Sequence, residues 1–140
     1  SIRIRTTDSG TLYYEETFTI TITDVNDTPT DISLSTSVNE NESSGTTVGA
    51  LSSTDDETGD SHTYTLVSGS GSTDNFSFAI SGSNLVTNAA FNFEVKNSYS
   101  CRLCTSDAAD YSHYVTLTIT IIVVNDTPTD ISLSTSVNQN

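Results

Sequence analysis

The chain has no tryptophan and no methionine, and its 140 residues include a single lysine, Lys96. Four Lys and Arg stand against 18 Asp and Glu, a formal net charge of −14. That balance excludes the clustered basic surface that nucleic acid or an anionic membrane requires. Long apolar runs are missing too. The longest, Ile121-Ile122-Val123-Val124, falls far short of the ~20 residues of a membrane-spanning helix. The opening Ser1-Ile2-Arg3 lacks the basic-then-apolar pattern of a leader, as expected of a mature chain or a piece of something longer. No stretch sustains a helical period.

Serine and threonine are abundant, 23 and 25 residues, about a third of the chain. Threonine is β-branched and suits the exposed faces of strands. This composition, acidic and poor in lysine, is associated with secreted and cell-surface repeat proteins, which sets the expected localisation as extracellular.

The strongest signal is internal repetition. Residues 26–41 read NDTPTDISLSTSVNEN and residues 125–140 read NDTPTDISLSTSVNQN, an offset of 99 with one difference, Glu40 against Gln139. The match continues backwards without a gap: residues 1–25 align with 100–124 at 10 identical positions. The expected organisation is one complete repeat at 28–126. Before it, residues 1–27 carry the last two strands of a preceding copy. After it, residues 127–140 carry the first strand of a following copy. Such a unit belongs to a tandem array.

Each copy reads as all-β. Residues 17–23 alternate Thr with Phe18, Ile20 and Ile22, and 116–121 alternate Thr with Leu117, Ile119 and Ile121. Alternation of this kind is a half-buried strand. Further strands are expected at 31–38, 47–53, 62–67, 76–80 (Phe76, Phe78 and Ile80 inward), 83–87 and 98–105, with a short turn at 88–92. Seven short strands separated by Gly, Ser and Asp clusters imply an immunoglobulin-like two-sheet sandwich.

With strands labelled A to G, Asp55 and Glu57 fall in the B–C loop and Asp107 in the F–G loop. In this connectivity those loops share one end of the sandwich. The incoming linker, Asp24-Val25-Asn26-Asp27, enters there. Five carboxylates and one amide are thus expected at one junction, with no Lys or Arg in sequence range. At the other pole Glu40 and Glu94 are expected to meet the outgoing linker Asn125-Asp126. An oxygen-only cluster suits a hard cation, and calcium tolerates looser geometry than magnesium. Asp31, Asp60 and Asp74 read instead as turn and cap residues, with a carbonyl of Asp60 as the one exception.

These residues resemble the cadherin repeat, in the form found in large bacterial surface adhesins. The family's Asp-x-Asn-Asp-Asn linker is matched by Asp24-Val25-Asn26-Asp27-Thr28. Its Pro-Glu-Asn and Gly-Thr segments resemble Asn39-Glu40-Asn41 and Gly45-Thr46. Its Asp-x-Asp motif appears as Asp55-Asp56-Glu57, its Leu-Asp-x-Glu motif as Phe91-Asn92-Phe93-Glu94, and its late aspartate as Asp107. The resemblance implies up to about three calcium ions per junction and a stiff, extended rod. Glu57 and Asn92 replace aspartates, and Val123 stands where Asp24 stands in the first copy, so the second linker is expected to bind less well.

Cys101 and Cys104 form a C-x-x-C, but on a strand their side chains point to opposite faces with Cα atoms ~10 Å apart. That exceeds disulfide reach. Cys101 aligns with Ile2 and is expected in the core, and Cys104 is expected at the surface. His62 and His113 read as strand residues, and no constellation points to an enzyme. Asn41 and Asn75 lie in N-glycosylation sequons. Thr28, Thr30, Thr127 and Thr129 flank the linker prolines as candidate O-glycosylation sites.

The function expected is a calcium-rigidified structural repeat of a rod or fibre. Its partners would be adjacent repeats of the same chain, and identical chains within a fibre. One alternative is a calcium-dependent adhesion or glycan-binding module, with surface glycans as partners and Tyr13, Tyr14, Tyr111 and Tyr114 as the contact aromatics. A further alternative is a filament built by strand exchange.

Overall fold

The computed structural model describes residues 1–57, 59–128 and 130–132. The first strand of a following copy, expected within 127–140, lies almost wholly outside them, as does Thr129. Eleven strands are present among the described residues. They are β1 (Ile2–Thr7), β2 (Tyr13–Phe18), β3 (Asp31–Ser33), β4 (Ser37–Asn39), β5 (Thr47–Ala50), β6 (Ser52–Thr54), β7 (Thr63–Leu66), β8 (Phe78–Ser81), β9 (Asn84–Thr87), β10 (Ser98–Ser106) and β11 (Ser112–Ile122). Among the described residues no helix is long and apolar enough to cross a membrane.

Strands β3 to β11 form a two-layer sandwich. One layer is ordered β4-β11-β10-β7, with β4 parallel to β11 and the other pairs antiparallel. The other layer is built from β5-β9-β8 and from β3-β6. Inward residues of both layers make the core: Ile32, Val38, Val48, Leu51, Phe78, Leu85, Phe91, Cys101, Leu103, Ile119 and Ile121 are all buried. Phe78, Phe91 and Tyr99 pack with ring centroids 4.5–6.0 Å apart, a range that favours offset and edge contacts.

Several expected strands are subdivided. Residues 31–38 give two strands, because the chain changes layers: β3 pairs with β6, and β4 crosses to lie beside β11. Residues 47–53 break at Leu51, which turns into the core, and a register shift between Thr47 and Gly49 bends β5. A one-residue bulge of this kind re-aims the strand. At 76–80 the start is not strand but a 3₁₀ turn, Asn75–Ser77, and Phe76 is exposed rather than inward. The Asn75 side chain ties this turn to two neighbouring segments. Its Nδ2 donates to the Val67 carbonyl (2.8 Å) and its Oδ1 accepts from the Arg102 amide (2.9 Å). The turn expected at 88–92 lies at 93–95, where Asn92 Oδ1 accepts from the Val95 amide.

Strands β1 and β2 form a separate hairpin. Its register, Ile2 opposite Phe18 through Thr7 opposite Tyr13, is the register of β10 and β11 shifted by 99, Cys101 opposite Leu117 through Ser106 opposite Ser112. The turns agree too. Asp8 Oδ1 accepts from the Gly10 and Leu12 amides as Asp107 Oδ1 accepts from those of Ala109 and Tyr111, and Thr11 and Asp110 share a left-handed φ of 70° and 66°. The strand expected at 17–23 nevertheless ends at Phe18. In the complete copy the same stretch is held between β10 and β4 over a core. Among the described residues no further strand pairs with the first hairpin, and Ile20 and Ile22 stay exposed.

Candidate metal centres

The loop 55–62 between β6 and β7 and the loop 107–111 between β10 and β11 meet at the pole where the incoming linker arrives. Asn26 Nδ2 donates to Asp107 Oδ2 (2.8 Å) and to the Asp27 carbonyl (2.7 Å). The Asp27 amide donates to Glu57 Oε1 (2.8 Å). Asp107 is buried. Its bond from Asn26, with the Tyr111 and Ala109 amides, outweighs burial and holds the carboxyl below its ordinary value.

Asp55, Glu57 and Asp60 bring carboxylate oxygens within 4.8 Å of one another. Asp55 also contacts His62 Nε2 at 3.1 Å. The contact with Glu57 lowers Asp55. Glu57 is drawn down by the Asp27 amide, but Asp55 and burial together push it up. Two acids driven apart in this way are close enough to interact directly. Glu57 Oε2 is buried without a hydrogen-bond partner among the described residues. No Lys or Arg forms an ion pair here: Arg3 and Arg5 pair with Glu15 and Lys96 with Asp74, while Arg102 binds the Ser68 carbonyl. An orphaned buried oxygen in an all-oxygen group fits a hard cation.

At the opposite pole Glu40, Glu94 and Asp126 form a second group within 4.8 Å. Glu40 is 2% exposed. Its oxygens accept from the Phe93 amide (2.7 Å) and the Val124 amide (2.8 Å), and these bonds lower its carboxyl despite burial. Asn41 Nδ2 donates to Asp126 Oδ1 (2.9 Å), and Asn125 Nδ2 to the Asp126 carbonyl (3.4 Å).

Of the ten expected ligands, Asp55 and Glu57 are gathered at one pole and Glu40, Glu94 and Asp126 at the other. Asn26 and Asp107 bond to each other beside the first group. Asp24, Asp27 and Asn125 are exposed and their side chains join neither group. Asp60, read from sequence as a turn residue, belongs to the first group, and its position three residues after Glu57 in one loop was the available signal. His62 lies outside β7, facing Asp55, rather than within a strand.

Cys104 is buried, not at the surface: it is 6% exposed on the outer side of β10, between its register partners Tyr114 and Thr65. Cys101 lies in the core, where burial first and the Asp74 charge second push its thiol up to about 11. Both cysteines are free. Thr28, Thr30 and Thr127 are exposed. The amide nitrogens of Asn75 and Asn41, the expected N-glycan acceptors, each donate one hydrogen bond, to the Val67 carbonyl and to Asp126 respectively. Tyr13 and Tyr14 belong to β2, and Tyr111 and Tyr114 to the other hairpin, so the four do not share one element.

Neither a family model nor a curated protein matches the chain. Solved structures do. A four-domain structure of protocadherin gamma B3 (extracellular domains 1–4) aligns at 24% identity with a TM-score of 0.68, covering 88% of this chain and 31% of that one. A cis-dimer structure of protocadherin gamma B7 (extracellular domains 3–6) aligns at 25% identity with a TM-score of 0.59, covering 89% and 32%. The third cadherin domain of human protocadherin 7 aligns at 17% identity with a TM-score of 0.56, covering 78% and 98%. The chain spans about a third of the length of the first two.

The fold is therefore that of an extracellular cadherin domain, an all-β sandwich. The expected bacterial adhesin is corrected by these matches, which are protocadherins. The motifs behind that expectation are linker acids and turn residues of the fold, and none of them encodes a source.

Proposed function

We propose that the chain is a segment of a calcium-dependent adhesion ectodomain at a cell surface. In this reading residues 28–126 are one complete repeat, 1–27 close the preceding one and 127–140 open the next. The observation that carries it is the pair of acid groups, one where each linker meets the sandwich, neither of them paired with a Lys or Arg. Asp55, Glu57 and Asp60 would hold calcium at one pole, with Asn26, Asp27 and Asp107 alongside. Glu40, Glu94 and Asp126 would hold it at the other. The ion supplies positive charge to oxygens that otherwise repel, and so fixes the angle between neighbouring repeats. The mechanical result is a stiffened rod, and adhesion is the use that similarity to protocadherin ectodomains favours. The partners are adjacent repeats of the same chain and a second copy on an opposing surface.

The test is calcium titration by calorimetry, with thermal melting in calcium and in chelator, on a protein of two complete repeats. Calcium at 100-fold above its Kd stabilises the bound form by ~2.7 kcal/mol, and a matching rise in Tm is expected. No bound calcium and no shift would sink the reading. Beads coated with the same protein are expected to aggregate in calcium and disperse in chelator. Stiffening without aggregation would favour a purely structural rod, and binding on a glycan array would favour the glycan-binding module.

A further inference from the structure

The two poles differ in what they need. At the incoming pole Glu57 accepts one linker amide, from Asp27, and leaves Oε2 buried and unpartnered against Asp55. At the outgoing pole the corresponding account is closed. Glu40 is nearly inaccessible to water, and a carboxylate at that depth is tolerated only when its oxygens are bonded. Both are. One accepts from Phe93, in the segment that carries Glu94, and the other from Val124, in the outgoing linker.

The backbone and the next residue add to the same grip. The Glu40 amide donates to the Ile122 carbonyl (3.0 Å), extending the β4–β11 ladder past its end. Asn41 takes a left-handed φ of 63°, a conformation asparagine tolerates better than most residues. That turn lets its amide reach the Phe91 carbonyl (3.0 Å) while its side chain reaches Asp126. Two consecutive residues thus hold Ile122, Val124 and Asp126, alternate positions along the departing chain.

We propose that Glu40, seconded by Asn41, is a metal-independent latch that docks the outgoing linker on the sandwich and presents Asp126 beside Glu94 before any cation arrives. Glu40 is here a positioning residue first. The latch needs no calcium, so it stands or falls separately from the calcium reading. Charge-assisted bonds from backbone amides to a carboxylate are roughly twice as strong as neutral ones.

Amide hydrogen exchange by NMR on the whole chain, in chelator and in excess calcium, tests it. In the wild type the Val124 and Phe93 amides are expected to be protected in chelator. In Glu40→Ala they exchange roughly tenfold faster or more, as loss of a bond to a charged acceptor demands. The amides of Leu51 and Val67, bonded to Ser83 and Arg102 elsewhere in the sandwich, keep their protection. Glu40→Gln, with one acceptor oxygen left, holds one of the two amides and releases the other. Val124 protection that appears only with calcium, or that survives Glu40→Ala, overturns the proposal. Should Glu40→Ala also expose Leu51 and Val67, the wild-type comparison in chelator decides alone.

Discussion

Asp74 and Glu57 are both acids drawn out of water, and what lies opposite each one sets their roles apart. Asp74 is 6% exposed and faces the only lysine in the chain. Its two oxygens accept from Lys96 Nζ and from the Ser100 amide. Burial raises its carboxyl, but Lys96 and Ser100 together outweigh burial and leave it below the ordinary value. The stabilisation is therefore complete above the unfolded pKa, about 3.9, and is lost as pH falls through the lower folded value. Lys96 is partly solvated, so its charge contributes less than a fully buried ion pair would. Asp74→Ala is expected to cost about 1.5–3 kcal/mol at pH 7, read by urea denaturation, and the gap from wild type should narrow near pH 3. From sequence Asp74 read as a cap without a ligand role. Its partners lie 22 and 26 residues away, beyond what local spacing reveals. Glu57 has no such partner for Oε2. Glu57→Gln removes a charge pressed against Asp55, so its Tm in chelator should equal or exceed that of the wild type, while the gain on adding calcium shrinks. A Tm in chelator well below wild type would show that the carboxylate is already satisfied without a cation.

At the scale of elements, the two hairpins show how far a strand pattern reaches by itself. Leu103 and Ile4 occupy equivalent positions in hairpins of identical register, yet Leu103 is 0% exposed and Ile4 54%. The difference is the opposing layer, which only β10 and β11 possess. Leu103→Ala should cost about 2–5 kcal/mol in the unfolding of the sandwich. Ile4→Ala in the same chain should leave that transition within about 0.5 kcal/mol. An equal cost would mean that the first hairpin is packed on the sandwich. The seven-strand sandwich was legible from the alternation of Thr with Leu117, Ile119 and Ile121 and from the turn residues between segments. What was not legible was where one strand becomes two. The change of layer after Ser33 and the break at Leu51 depend on contacts between distant segments. Gly49 marks such a contact: a Cβ there would sit 2.9 Å from the Ser35 amide nitrogen and 3.0 Å from its carbonyl oxygen, in the crossover between β3 and β4. Neither backbone atom can swing aside, so Gly49→Ala should destabilise by about 1–3 kcal/mol, measurable in the same melts.

For the whole molecule, the unequal linkers matter most. The first linker offers Asp24 and Asp27 and the second offers Asp126 alone, because Val123 replaces the first acid. Both Asp24 and Val123 stand exposed. If calcium sets the angle between repeats, affinity should follow the number of charged oxygens supplied, and the joint at the second linker would be looser than that at the first. The latch at Glu40 changes what a loose joint means, because it keeps the outgoing linker on its own sandwich and confines bending to the side of the next repeat. Val123→Asp, in a protein of two complete repeats joined by this linker, should therefore tighten calcium binding by about tenfold in calorimetry. Small-angle scattering in limiting calcium should show a longer, narrower distribution of particle lengths than the unmodified protein gives. In chelator the added charge should have the opposite effect, repelling Asp126 and the Glu40–Glu94 group and shifting the scattering toward looser forms. Unchanged affinity would mean that this position lies outside the cation's shell. Asp24, which in this structure touches no other acid of its group, would then be surface charge, and the asymmetry between joints would have to come from Glu57, Asp60 and their counterparts alone.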